Sequence, residues 1–148
     1  RIDIQGVGGQ RLSDKWADGP LTYLGITVSG FPNMVMLAGP QTAATNFPRG
    51  AELAVDWATP FLEYMRDHGY RRFDVDTEAE AAWVEHVKQM YQGLLLRTAK
   101  SWITGYNSNL EGHEYGKTRY NIYNGGGPKY ARRLSEGADS DYEGIRFS

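Results

Sequence analysis

The stretch 29-SGFPNMVMLAGPQTAATNFPRGAELAVDW-57 decides how this chain is read. Its apolar run is interrupted at Gly39-Pro40, passes into a small polar linker, and reaches Pro48, where a helix begins. Met34–Ala38 is apolar on both faces, the pattern of a buried central strand in a parallel sheet. Proline suits the first turn of a helix, because the N–H it lacks has no partner there anyway. From about Pro48 to His68, the residues Leu53, Trp57, Phe61, Tyr64 and Met65 recur at helical spacing. Gly69 supplies a stop, and Pro60 inside the pattern predicts a bend. A strand, a glycine turn and a helix start can be plain architecture, or they can hold an anionic or dipolar group at the positive helix end. Packing accounts for the strand and the helix. It does not account for the polar linker Gln41–Asn46, which points to ligand contact.

Outward from this stretch, Ile2 and Ile4 alternate with polar residues as a strand would, and "GVGGQ" (Gly6–Gln10) turns the chain. That turn is no phosphate loop, since a G-x-G-x-x-G match needs glycine where Arg11 stands. Tyr23–Val28 reads as a short strand. "TEAE" (Thr77–Glu80) has the capping-box form, and Trp83, Val87, Met90, Tyr91, Leu94 and Leu95 predict one helix from about Thr77 to Leu96. The region after Ser101 is long, aperiodic and rich in Gly, Asn and Tyr, with possible strands at "TRYNIY" and "YEGIRF" and a short helix from Pro128 to about Glu136. The fold class is therefore α/β, with short strands, two main helices and a long C-terminal loop region.

Composition narrows the functions. At 148 residues, 41% hydrophobic and 23% charged, the chain is one domain able to bury a core. A net charge of −2, with basic residues spread along the chain, predicts no nucleic-acid or membrane partner. The absence of cysteine excludes disulfides, thiolate metal sites and cysteine nucleophiles, and leaves a cytoplasmic setting as the default. The longest apolar run, Met34–Gly39, is too short to cross a bilayer. The chain starts at Arg1 inside an alternating pattern, which predicts the C-terminal part of a longer protein.

Catalytic constellations are missing. His68, His86 and His113 lack partners at metal-ligand spacing, no G-x-S-x-G occurs, and Glu78, Glu80 and Glu85 read as a solvated helix face. We expect no catalytic residue and no metal site within this chain.

Several pieces together resemble a known family: "IDIQGVGG", "KWADGPLTYLGITVSGFPNMVMLAGP", "TNFP", "WVEHV", "SWITGYN", "YNGGGPKY" and "YEG". In their order the chain is similar, end to end, to the C-terminal part of Baeyer–Villiger monooxygenases. The resemblance implies the C-terminal segment of the FAD-binding domain of a two-dinucleotide-binding-domain flavoprotein. Residues 1–70 would complete the flavin site, and residues 71–148 would add a helix, an NADP-contacting loop and the C-terminal helix and strand. It implies FAD and NADPH as cofactors and a ketone and O2 as reactants, one oxygen being inserted to give an ester or lactone. Gly39, Pro40, Thr45, Asn46, Phe47 and Trp102 would contact the cofactors, Ala44 and Phe47 would line the substrate pocket, and Trp102 would meet the nicotinamide ribose. The remainder of the parent polypeptide would supply both glycine fingerprints, the F-x-G-x-x-x-H signature and the catalytic arginine. "GYNSNLEGHEYGK" (Gly105–Lys117) departs from the family's shorter G-A-N-[IV]-P-G-K loop. Alternatives are a flavin-dependent N- or S-monooxygenase segment and a cofactor-free structural module.

Overall fold

The computed structural model describes residues 2–43, 45–113 and 117–148. It is an α/β chain with four α-helices and one small sheet: α1 (Leu12–Lys15), α2 (Phe47–Asp67), β1 (Phe73–Val75), α3 (Thr77–Gln89), α4 (Gly127–Asp139) and β2 (Ile145–Phe147). The strands β1 and β2 pair antiparallel, with Phe73 opposite Phe147 and Val75 opposite Ile145. The main core includes the α2 face of Leu53, Trp57, Phe61 and Met65, and a second, smaller cluster gathers Leu12, Val28 and Phe31. Phe61 stacks on Trp57 at 4.7 Å and meets Phe73 and Tyr142 edge-on at 4.9 and 4.8 Å. Offset and edge contacts of this kind add to area burial.

The helix α2 starts as predicted. Asn46 caps it, its Oδ1 accepting from the Arg49 amide at 3.3 Å, and a proline occupies the first turn. It ends before Gly69, which adopts φ 72°. Pro60 does not divide it: the helix is continuous through that position. The bond Pro60 cannot make is to the Asp56 carbonyl, and both residues lie on the exposed side, where water substitutes. The predicted C-terminal elements also form, with α4 slightly longer than expected and β2 within "YEGIRF".

Four strand expectations fail. Met34–Ala38 is not a strand: its links are single hydrogen bonds such as the Met36 amide to the Ile26 carbonyl at 2.8 Å. Met34, Val35 and Met36 are half-buried and Leu37 is 47% exposed, because among the described residues no neighbouring strands flank this run. Tyr23–Val28 is a tight turn, with Leu24 and Gly25 at φ 56° and 70°. Ile2–Gln5 and Thr118–Tyr123 contribute only isolated bridges, Gln5 to Arg11 and Ala43 to Tyr123.

The helix α3 also differs from expectation. It stops at Gln89, and the backbone then turns through Gly93 at φ 77°, leaving Leu95 92% exposed. Tyr91 is buried regardless, its hydroxyl accepting from the Ile122 amide at 3.2 Å. No capping box forms, since Asp76 is the N-cap residue. Glu80 is instead turned inward and buried. Its carboxylate pairs with Lys15 at 2.7 Å and accepts from the Ser29 amide at 2.8 Å, while Lys15 also donates to the Ser29 carbonyl at 2.6 Å. A largely buried pair of this kind ties α1 to α3 with both Glu80 oxygens satisfied, the condition for tolerating charge away from water.

Candidate functional site

A cavity of about 690 Å³ opens at the N-terminus of α2. Its near wall is the segment Gly39–Ala51 and its far wall is formed by Trp102, His113, Arg119, Asn121 and Ile122, with Trp16 and Pro20 closing one side. The volume lies in the range of small-molecule sites.

Close backbone packing builds the near wall. A Cβ on Gly39 would lie 2.5 Å from the Gly25 carbonyl oxygen, so the turn at Leu24–Gly25 and the Gly39-Pro40 corner meet only because both carry glycine. Gln41, at φ 66° and fully buried, locks this corner. Its Nε2 donates to the Pro20 carbonyl at 2.9 Å, its Oε1 accepts from the Thr22 hydroxyl at 2.6 Å, and its amide donates to the Asn121 carbonyl at 2.7 Å. The polarity of the linker at Gln41 is thus spent on structure, contrary to the expectation of ligand contact there. Thr45 and Asn46 remain at the cavity, with Phe47 74% exposed at its mouth.

The far wall is organised around Trp102. Ser101 caps a single 3-10 turn, Trp102–Thr104, its hydroxyl accepting from the Ile103 amide at 3.2 Å. The Trp102 carbonyl accepts from Asn121 Nδ2 at 2.9 Å, and the ring stays 69% exposed. His113 Nδ1 is 2.8 Å from the Gly105 carbonyl oxygen. Asp18, beside this wall, is bonded to Lys117, whose hydrogen bond and charge hold the carboxyl below its usual range.

Gly39, Pro40, Thr45, Asn46, Phe47 and Trp102, all singled out in the sequence, line this one cavity. Ala44 lies outside the described residues. Sequence reasoning missed Trp16, Asn121 and above all Arg119, because an arginine in a polar loop reads as solvated by default. A second cleft, of about 710 Å³, lies between α3 and α4 and contains none of these residues. Among the described residues no cluster of three metal-ligating side chains occurs, and no helix is long and apolar enough to cross a membrane.

Comparison with known proteins defines the class. No family model matches the chain. It is 36% identical to the phenazine N-monooxygenase of Lysobacter antibioticus over 145 residues, covering 98% of this chain and 26% of that protein. It is 33% identical to the cyclohexanone 1,2-monooxygenase of an Acinetobacter species, again over 98% of this chain and 26% of that protein. Its fold superposes on the crystal structure of OTEMO in complex with FAD and NADP with a TM-score of 0.85 and 32% identity, over 99% of this chain and 26% of the other. The class is that of flavin-dependent monooxygenases. Within it, the chain belongs with the Baeyer–Villiger monooxygenases, as a segment matching their C-terminal portion. It spans about a quarter of the length of the relatives it matches.

Proposed function

We propose that the polypeptide carrying this chain is an FAD- and NADPH-dependent monooxygenase that inserts one oxygen atom of O2 into a ketone to give an ester or lactone. This chain would supply the C-terminal segment of its FAD-binding domain, residues 1–70 on the flavin side and residues 71–148 on the nicotinamide side. One observation carries the reading: six residues picked out from the sequence as cofactor contacts line a single cavity at the start of α2.

The residues present fit such cofactors. The α2 N-terminus offers amide hydrogens and the positive end of the helix dipole near Asn46 and Phe47, suited to a flavin carbonyl oxygen or a reduced, negatively charged ring. Apolar walls from Trp16, Pro40, Ala43 and Ile122 keep water from that edge. Phe47, exposed at the mouth, offers a surface against which a ketone is held. Trp102 presents an indole N–H beside an apolar face, the combination that grips a ribose. When bound, the reduced flavin would activate O2 and NADPH would supply the electrons. The residues of this chain orient the partners and exclude solvent, and none is assigned a proton transfer. A cytoplasmic setting is part of the same proposal, since a cysteine-free chain gains nothing from an oxidising compartment.

The test is turnover of cyclohexanone with NADPH and labelled O2 by the FAD-loaded polypeptide. The expected product is the lactone carrying one labelled oxygen, and NADPH consumption without oxygenated product would refute the reading. A second reading has its own support in the phenazine N-monooxygenase match. Phenazine in the same assay would then give an N-oxide while cyclohexanone remained unchanged. A cofactor-free module would bind no flavin in either case.

A further inference from the structure

Arg119 is 8% exposed and lines the cavity, yet it is spent on almost nothing. Of the five N–H donors a guanidinium carries, one is used among the described residues, Nη2 to the Gly112 carbonyl at 2.8 Å. Its Nε is buried with no partner. Among the described residues Arg119 forms no ion pair, and none of the cavity's described lining residues is an aspartate or glutamate. Its charge acts on Asp18, which is largely exposed and already bonded to Lys117.

The side chain is nevertheless held deliberately. A Cβ on Gly105 would fall 2.6 Å from the Arg119 side chain, so the stem lies flat on a glycine that also needs φ 84°. The Arg119 amide donates to the Thr104 carbonyl at 2.8 Å, tying the residue to the Trp102 turn. A fixed, buried cation with no ion-pair partner among the described residues is costly unless a ligand supplies the charge. The α2 N-terminus across the same cavity adds positive potential of its own.

We propose that Arg119 is the recognition site for a carboxylate on the organic substrate, so that this cavity selects ketones or heterocycles carrying an acidic group over neutral ones. A single planar fork in a cavity also lined by Trp16, Pro20, Pro40 and Ile122 matches one carboxylate on an apolar body. A nucleotide phosphate, the other source of an oxyanion, is the competing occupant. The inference rests on reading the cavity as a substrate site. It holds whether the oxygen goes to carbon or to nitrogen.

The probes are 4-oxocyclohexanecarboxylate and its neutral carboxamide, compared in the FAD-loaded polypeptide by direct binding, followed through tryptophan fluorescence, and by KM. The carboxylate is expected to bind roughly ten- to a hundredfold more tightly, the gain of a charge-assisted hydrogen-bonded pair. Arg119→Gln removes the difference and Arg119→Lys keeps part of it. Equal binding of the two probes by the wild-type protein overturns the proposal without requiring any variant to fold. So does a preference that survives Arg119→Gln, or an Arg119→Gln protein that loses NADPH affinity while its probe preference stays intact, which would give the guanidinium to a cofactor phosphate. Selective binding with no oxidation of either probe would leave the carboxylate site standing and refute the proposed reaction. Oxidation of both with equal KM would do the reverse.

Discussion

Phe47 and Phe61 belong to the same helix, yet Phe61 is fully buried and Phe47 is 74% exposed. The pair represents two regions of the molecule. In the core between α2, α3, α4 and the β1–β2 ribbon, aromatic rings stack on one another; the Tyr130 hydroxyl donates to the Leu24 carbonyl at 2.7 Å and burial pushes its pKa up, while the Trp57 and Trp83 Nε1 groups are buried without a partner among the described residues. Around the cavity the pattern is inverted: Phe47 and Trp102 are exposed, while the charged Arg119 is inside. A chain gains stability from the first arrangement and none from the second. Exposed large rings beside a buried cation are features that binding surfaces share.

That contrast sets the order of expected effects. Phe61→Ala removes a ring packed against Trp57, Phe73 and Tyr142, and is expected to cost about 3–5 kcal/mol in urea unfolding. Phe47→Ala is expected to change stability by less than about 0.5 kcal/mol. It should instead alter discrimination between small and bulky ketones by roughly 1–3 kcal/mol. A large stability loss at Phe47 would erase the distinction between the regions. The Lys15–Glu80 pair tests the core from its charged side. Glu80→Ala strands the Lys15 charge and is expected to cost about 3–5 kcal/mol, whereas Lys15→Met with Glu80→Leu recovers most of the loss. Equal damage from the single and double variants would contradict the account of that pair.

The smallest effect concerns pH. Burial, and then the charge of Arg133, hold the His86 imidazole below its ordinary pKa of 6.5. The unfolded chain therefore binds the extra proton first, so stability is complete above that value and declines as pH falls through the window beneath it. His86→Gln is expected to flatten this acid-side slope in melting temperature measured against pH, and an unchanged slope would remove His86 from the explanation.

Much of this was legible beforehand where local rules and packing agree. The α2 start followed from Pro48, its end from Gly69, and the β2 strand lies within "YEGIRF", where a strand was expected. The errors came where the deciding partner is remote in sequence. Met34–Ala38 has strand composition, but a strand needs neighbours, and the described residues provide none. Leu94 and Leu95 continue the α3 stripe by spacing, although Gly93 has already turned the chain. Glu80 fitted a capping box and a solvated face equally well, because Lys15 and Ser29 approach it only in the folded molecule. In the cavity, the residues of the Gly39–Phe47 segment and Trp102 were readable from their motifs. Arg119 was not, since its significance lies in burial with an unpaired Nε and no ion pair among the described residues, which no sequence pattern encodes.

The central claim is that the rim serves ligands and the core serves the fold, and Trp102 separates the two most directly. The measurement is NADPH affinity of Trp102→Ala beside the parent, in the FAD-loaded polypeptide, with melting temperature recorded on the same samples. The account predicts affinity weakened by about 1–3 kcal/mol, roughly ten- to a hundredfold, with FAD retained, hydrogen peroxide released during turnover, and the melting temperature unchanged. Unaltered NADPH affinity together with a lowered melting temperature would contradict it and make Trp102 a packing residue.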